Sequence, residues 1–229
     1  VQQDLLPFLW LGGHLGGRTF DVLMTAMPMI EIQKRLDIAR SLHPESKTLG
    51  DFRADARLLA AENSALENAR KLITPHSAIA GMFPKRAVLL DWKDPARSKA
   101  PRRQNPKPVV VFPASTVGRK GCYELREALT GLDVKLIRLG PEIEGDNFWH
   151  GFDTERGGND MIAMADLVVL PAHVEHRPRR LLMAAASGIP VIASTACGIS
   201  NVRGVEFVET GDVSALRDKI GAALSMALP

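Results

Sequence analysis

The sequence predicts an α/β protein in which a short first unit is followed by a complete second unit. The second half of the chain alternates short runs of β-branched apolar residues with helical patterns, which is typical of parallel strands covered on both faces. The first half shows the same alternation but only about three strands. A basic, proline-rich segment at residues 93–107 separates the two units and indicates an exposed linker.

The composition supports a packed globular protein. The chain has 229 residues, of which 45% are hydrophobic and 24% charged, and its mean hydropathy is -0.02. At roughly 150 residues per domain, this length corresponds to about one and a half domains. No apolar run approaches the roughly 20 residues that span a bilayer, and the first residues lack the pattern of a signal peptide. The chain does not begin with methionine, which favours a start inside a longer protein.

Charge and cysteine usage narrow the class of partner. A net charge of +3, from 29 basic and 26 acidic residues, suits a protein that handles anionic small molecules. This charge is too small for a nucleic-acid binder, and with 5% aromatic residues the chain offers few rings for base stacking. The two cysteines, Cys122 and Cys197, are too few for a disulfide framework and favour reduced thiols in a cytoplasmic protein. The basic linker leaves a peripheral contact with an anionic membrane open, and the sequence leaves the oligomeric state undefined.

The second unit, residues 108–229, is predicted to be a complete Rossmann-like domain. Its strands are predicted at residues 109–115, 134–140, 167–172, 190–195 and 205–209. Its helices are predicted at residues 120–131, 159–166, 177–188 and 213–228, with a loop at 140–159. Each strand is apolar along its length, as expected where helices cover both faces of a parallel sheet.

The first unit, residues 1–92, is predicted to be a partial Rossmann-like domain. A strand at residues 20–28 precedes a helix at 29–43, and a second helix lies within residues 51–70. A strand-helix-strand pattern across residues 73–92 ends the unit. A free-standing doubly wound domain usually has about five or six strands, so roughly half of such a domain is present.

Candidate site residues lie in the loops that follow two strands of the second unit, because open α/β sheets bind ligands there. In the loop ASTVGRKG, Arg119 and Lys120 stand at the start of a helix and could hold a diphosphate, with ordinary surface charge as the alternative. The loop lacks the G-x-G-x-x-G fingerprint, and this absence disfavours a nicotinamide-dependent oxidoreductase. The loop also lacks a Walker A pattern.

The loop at residues 172–180 is the more informative of the two. It contains one carboxylate, two imidazoles and three guanidinium groups: Glu175, His173, His176, Arg177, Arg179 and Arg180. Such a set suits an anionic ligand that also carries hydroxyls, since the carboxylate accepts hydrogen bonds from sugar hydroxyls while the arginines neutralise phosphate. The alternative is a salt-bridged loop that caps the helix. No third metal ligand accompanies the two histidines in sequence, so no metal site is predicted.

Several of these stretches together resemble the donor-binding domain of GT-B glycosyltransferases. The similarity is greatest to the retaining group that includes sucrose and glycogen synthases, often called family 4. The stretches are ADLVVLP at residues 165–171, Glu175, ASGIPVIAS at 186–194 and the GD pair at 211–212. The resemblance implies that Lys120 contacts the diphosphate of a nucleotide-sugar donor and that Glu175, the first glutamate of the family's Glu-x7-Glu pair, faces the sugar. It implies no required metal or other cofactor.

The sequence departs from the family pattern at several positions. Met183 stands where the family has its second glutamate, which would hold the hydroxyls of the nucleotide ribose. The family's arginine before the lysine falls on Ser115, although Arg119 stands beside Lys120 and could substitute for it. In the first unit, His14 and His76 are candidates for the acceptor side, with ordinary loop or core histidines as the alternative.

The function predicted from the sequence is therefore a glycosyltransferase of GT-B-like fold that moves a sugar from a nucleotide-diphosphate donor to an unknown acceptor. The predicted catalytic residues are Glu175 and Lys120. The predicted donor-binding residues are Arg119, Lys120, His173, Glu175, Arg177 and Arg179. The alternative is a non-catalytic GT-B-like module that binds a glycan, a nucleotide or a partner protein.

Overall fold

The computed structural model describes residues 1–93, 95 and 106–225 and contains two parallel sheets. Within residues 1–93 a sheet of three strands has the order β1-β2-β3. The strands are β1 (Asp21–Leu23), β2 (Lys71–Thr74) and β3 (Ala87–Leu89). The helices are α1 (Leu6–Leu11), α2 (Met29–Leu42), α3 (Ala56–Asn68) and α4 (Ser77–Met82). Most of the predicted linker, residues 93–107, lies outside the described residues.

Within residues 106–225 a second sheet has six parallel strands in the order β6-β5-β4-β7-β8-β9. The strands are β4 (Val109–Phe112), β5 (Lys135–Arg138), β6 (Thr154–Arg156), β7 (Leu167–Leu170), β8 (Val191–Ser194) and β9 (Val205–Val208). The helices are α5 (Cys122–Leu129), α6 (Arg179–Ala186) and α7 (Val213–Ser225). Short 3-10 turns at Gly118–Lys120, Asn159–Met164 and Thr195–Cys197 complete this half.

The core of the second half forms because its central strands are apolar on both faces. Every residue of β4, β7 and β8 is buried, and α5 adds Leu125 and Leu129 from one face of the helix. A separate core lies in the first half around Val22, Leu36 and Leu72. Each sheet thus has its own hydrophobic core, as the α/β prediction requires.

The structure confirms the predicted α/β architecture and adds elements that the pattern did not reveal. β6 was predicted as loop because Thr154, Glu155 and Arg156 are polar, yet they pair with β5 at the edge of the sheet. The short helix predicted at residues 159–166 is a 3-10 turn. The prediction also missed α1, whose six residues are too few to show a helical period.

A buried carboxylate holds the two halves against each other. Glu144, in the loop after β5, is 5% exposed. It accepts hydrogen bonds from the hydroxyls of Ser46 and Thr48 and from the Lys47 N–H, all in the first half. The Gly118 N–H donates to the same carboxylate from the second half. Burial works to raise the pKa of Glu144, but these donors outweigh it and lower that pKa.

Candidate functional site

The candidate site lies where the strand order of the second sheet reverses. β5 and β6 lie on one side of β4, whereas β7, β8 and β9 lie on the other. Open parallel sheets bind ligands at such a switch point, in the crevice beyond the carboxyl ends of the strands. Lys120 comes from the turn after β4 and Glu175 from the loop after β7. The topology therefore brings these two predicted residues to the same crevice.

Lys120 and Glu175 form an ion pair across this crevice. The Lys120 Nζ lies 2.8 Å from the Glu175 Oε2 and 3.1 Å from the Val174 carbonyl oxygen, to which it also donates. Both charged side chains are 13% exposed, so water screens the pair less than it would at the surface. The Arg177 N–H donates to the other carboxylate oxygen, Oε1, at 2.8 Å.

Burial and the ion pair act together on the two charges. Burial works to raise the pKa of Glu175, but the charge and hydrogen bond of Lys120 outweigh it, so the pKa of Glu175 is lowered. Burial lowers the pKa of Lys120, and the attraction of Glu175 opposes this without cancelling it. The lysine thus favours the ionised form of the buried carboxylate.

A glycine permits the close approach of the two loops that carry this pair. Gly121 has a φ of +75°, and a Cβ there would lie 2.1 Å from the Pro171 carbonyl oxygen. Only glycine fits such a position. Beside it, the Arg119 carbonyl oxygen accepts hydrogen bonds from the N–H groups of His173 and Val174 at 3.0 and 3.1 Å. The backbone contact fixes the distance between the β4 and β7 loops.

The same loops line a cavity of about 380 Å³. This volume falls within the range of small-molecule sites in proteins. Arginine and lysine side chains and one carboxylate supply its charged wall: Arg119, Lys120, Glu175, Arg177, Arg179 and Arg180. Ala114, Ile143 and Leu170 are among its apolar lining residues. The arrangement suits an anionic ligand that also offers hydroxyl groups to a carboxylate.

The structure brings five of the six predicted donor-binding residues to this cavity, and His173 lies elsewhere. The His173 side chain is 2% exposed, and its Nε2 donates to the Glu124 Oε1 at 2.7 Å. A second imidazole, His43 of the first half, bonds the same oxygen at 2.8 Å. Burial works to raise the pKa of Glu124, but the two histidines lower it to about 2.

Two structural roles at the cavity were not evident from the sequence. The Arg180 guanidinium donates to the carbonyl oxygens of Pro113 and Leu139, so it fixes the start of α6 to the ends of β4 and β5. From the first half, the His76 Nε2 donates to the Glu175 carbonyl oxygen at 2.8 Å. The sequence signals for these roles were the dense run of arginines that contains Arg180 and the position of His76 just before a short helix. Neither signal reveals which group the side chain contacts.

The other predicted candidates lie outside the cavity wall. Met183 is half-buried on α6 and packs against the core of the second half. His14 is exposed in the turn after α1. His76 is 1% exposed and caps α4, with its Nδ1 accepting from the Ile79 N–H. Burial lowers the pKa of His76, so a neutral imidazole lies between the two halves.

Solved structures share this architecture at low sequence identity. Sucrose-phosphate synthase from Thermosynechococcus elongatus superposes with a TM-score of 0.62 and 17% identity, covering 95% of this chain and 62% of that one. Alr3699/HepE from Anabaena, solved with UDP and glucose, has a TM-score of 0.60 and 15% identity. The match covers 98% of this chain and 67% of that one. WaaG, a glycosyltransferase involved in lipopolysaccharide biosynthesis, has a TM-score of 0.58 and 19% identity. The match covers 95% of this chain and 72% of that one. The chain therefore spans less than two thirds of the length of the synthase.

These similarities identify the fold as that of the GT-B glycosyltransferases. Residues 108–226, just over half of the chain, match the family model described as glycosyl transferases group 1. The chain belongs to the group 1 glycosyltransferase family. No curated protein matches it in sequence. Among the described residues, no helix combines the length and apolar character needed to cross a bilayer.

Proposed function

We propose that the chain is the donor-binding portion of a glycosyltransferase that moves a sugar from a nucleotide-diphosphate donor to an acceptor. The observation that supports this most strongly is the switch-point cavity of about 380 Å³, in which basic side chains surround the single carboxylate of Glu175. In the family's terms, Lys120 takes the diphosphate and Glu175 faces the sugar.

Each charged group has a chemical task in this proposal. A diphosphate leaves when the sugar is transferred, so the positive charges of Lys120 and Arg119 stabilise the charge that grows on it. Arg177 and Arg179 provide further guanidinium groups, which suit phosphate oxygens because of their planar, forked donors. Glu175 accepts hydrogen bonds from sugar hydroxyls. No metal or other cofactor takes part in donor binding.

The proposal extends to partners and location. The donor is a nucleotide sugar, and the acceptor is a hydroxyl-bearing molecule that the first half helps to bind. Both cysteines are free thiols buried in the structure, which supports a reducing, cytoplasmic setting.

A second candidate function follows from Met183. A thioether cannot accept the two hydroxyl hydrogen bonds that a carboxylate would take from a nucleotide ribose. This departure favours a module that binds a glycan, a nucleotide or a partner protein without catalysing transfer. The two functions differ in one observable property, which is the turnover of a sugar nucleotide.

Calorimetry with UDP, GDP and ADP tests the enzyme proposal directly. We expect one of the three to bind, and Lys120→Met to weaken its binding by about 10- to 100-fold, because a hydrogen bond to a charged group contributes about 1.5–3 kcal/mol. Lys135→Met is the matched control, since the partly exposed Lys135 at the start of β5 pairs with Glu155 of the edge strand β6. The Lys135→Met variant should bind the nucleoside diphosphate with the same affinity as the unchanged protein.

Two results would overturn the enzyme proposal. The first is that none of the three diphosphates binds. The second is that Lys120→Met and Lys135→Met lose the same amount of affinity for a diphosphate. Where a diphosphate binds, assays of sugar-nucleotide hydrolysis and transfer separate the two candidate functions. Binding without turnover of any sugar nucleotide favours the non-catalytic module.

A further inference from the structure

Three residues from distant parts of the sequence converge between the two halves. His43 follows the end of α2, Glu124 lies in the first turn of α5, and His173 lies in the loop after β7. Both imidazoles direct Nε2 at the Glu124 Oε1, at 2.8 and 2.7 Å. One ligand atom from each of the three residues lies within 4.8 Å of the other two. We propose that His43, Glu124 and His173 bind a Zn²⁺ ion that joins the two halves of the chain.

The buried carboxylate gives an independent reason to expect a ligand. The Glu124 side chain is 2% exposed, and within the described part of the chain its Oε2 has no hydrogen-bond partner. A buried polar atom left without a partner typically costs about 1–3 kcal/mol. A metal ion at the cluster would give the second oxygen a partner, because a carboxylate can bind through both oxygens.

The donor set favours zinc over Mg²⁺ and Ca²⁺. Two imidazole nitrogens and one carboxylate, with a position open to water, form a recognised set of zinc ligands. Mg²⁺ and Ca²⁺ prefer oxygen ligands throughout. Zinc bonds of about 2.0–2.2 Å are shorter than the present hydrogen bonds, so the ion would take the place of the two Nε2 protons. Each neutral imidazole would then carry its single proton on Nδ1.

The surroundings of His43 support binding by its Nε2. The Nδ1 of His43 lies 3.7 Å from the Glu45 Oε1. This separation is longer than a hydrogen bond, so Glu45 would have to move closer to accept the Nδ1 proton, as the carboxylate partners of zinc-bound histidines do. The Tyr123 ring stacks on the imidazole with a centroid separation of 4.7 Å and holds its plane.

His43 connects the cluster to an open cavity. His43 is 14% exposed and, with Glu45 and Tyr123, lines an open cavity of about 870 Å³. This cavity has a different wall from the switch-point cavity that holds Lys120 and Glu175. The zinc site is therefore separate from the proposed donor site, and its loss leaves the donor proposal standing.

The ion would link the first half to the second, since only His43 comes from residues 1–93. A ligand that binds the folded chain and not the unfolded chain stabilises it according to its concentration and affinity. Zinc is therefore expected to raise the melting temperature as well as to bind.

Equilibrium dialysis of the EDTA-treated chain against ZnSO₄, with metal analysis, tests the proposal. We expect one Zn²⁺ per chain and a rise in melting temperature. His43→Gln and His173→Gln should each weaken binding by about tenfold or more, the scale of losses seen even for groups that only support metal ligands. His14→Gln, a change at an exposed histidine, is the matched control. Cobalt substitution should give the visible absorption bands of a four-coordinate site.

Two outcomes overturn the site. The first is no stoichiometric zinc binding, which leaves the three residues as a hydrogen-bonded cluster. The second is binding that His43→Gln and His14→Gln weaken equally. Because His43 is partly exposed, the His43→Gln variant tests the site even if the His173→Gln variant fails to fold.

Discussion

The ammonium group of Lys120 lies 2.8 Å from the carboxylate of Glu175, across the carboxyl ends of β4 and β7. Each charge neutralises the other, so the pair holds together two loops that the chain separates by 55 positions. In the proposed function these same two groups receive different parts of the donor. A diphosphate must compete with Glu175 for the lysine, and this competition makes the effect of Glu175 on binding measurable.

Substitution of Glu175 is expected to have opposite effects on nucleotide binding and on transfer. Glu175→Gln removes a negative charge beside Lys120 and should tighten UDP binding by severalfold, since a charge near the phosphates opposes them. The same change removes the acceptor for sugar hydroxyls and should lower the rate of transfer. Calorimetry with UDP and a transfer assay measure the two effects separately.

Glu206→Gln gives the control for this experiment. It makes the same change in net charge at an exposed position of β9, where Glu206 pairs with Lys219. Equal tightening in both variants would mean that only the overall charge matters. Weaker UDP binding in Glu175→Gln would contradict the placement of the carboxylate against the diphosphate.

Gly198 is expected to be required for contact between the two halves. A Cβ at this position would lie 2.0 Å from the His76 Nδ1, and the residue has a φ of +61°. Gly204 has a φ of +81°, but a Cβ there meets nothing within 4 Å. Both alanine substitutions incur the backbone cost of about 1–2 kcal/mol, and only Gly198→Ala adds a clash of about 1–3 kcal/mol. Urea unfolding measures the free energy of unfolding of both variants, and the difference between them is the cost of the clash. Equal losses of stability would contradict the close contact between Gly198 and His76.

His176 is expected to make the protein less stable in mild acid. Burial, followed by the charge of Lys120, lowers the pKa of His176 from 6.5 to about 4. Its Nε2 is buried and has no hydrogen-bond partner among the residues that the structure describes. The unfolded chain takes up a proton at higher pH than the folded chain, so folding stability is full above pH 6.5 and falls toward pH 4.

The measurement is the free energy of unfolding at about pH 7 and about pH 5, where His176 alone contributes a loss of roughly 2 kcal/mol. His176→Gln should show a correspondingly smaller loss, because it cannot take up the proton. His150→Gln changes an exposed histidine in the same half and should retain the loss of the unchanged protein. Parallel pH profiles for His176→Gln and the unchanged chain would contradict the assignment.

The sequence predicts those features that depend on local pattern. The buried strands β4, β7 and β8 were found because each is a short apolar run followed by turn residues. The placement of Lys120 and Glu175 in one crevice follows from the rule that ligands bind beyond the carboxyl ends of parallel strands. Local sequence and a general rule of topology suffice for both.

The remaining features depend on contacts between distant segments. The strand β6 is polar, and only pairing with β5 makes it a strand. His173 was grouped with its sequence neighbours as a donor ligand, yet it turns inward to Glu124 of α5. The position of His43 beside that carboxylate depends on how the two halves dock, with 81 positions between the residues. No periodicity in the sequence carries such information.

Met183 provides a test of where the nucleotide lies. It follows Arg179 by four residues on α6, so the two positions share one face of the helix. The family resemblance implies that a carboxylate at this position holds both hydroxyls of the ribose. Met183→Glu should therefore tighten UDP binding by about tenfold, since a hydrogen bond to a charged group contributes about 1.5–3 kcal/mol and the new carboxylate must first be desolvated.

Met183→Gln separates charge from length in this experiment, because glutamine has the same reach with a neutral end. We expect the glutamine variant to gain less than the glutamate variant, and both to lose some stability, since Met183 packs against the core of the second half. Calorimetry at matched folded fractions compares the two. A gain specific to glutamate places the ribose beside α6 and shows that Met183 lowers the affinity for the nucleotide. The absence of any gain places the nucleotide elsewhere in the crevice, and it then removes the main reason for regarding the chain as a non-catalytic module.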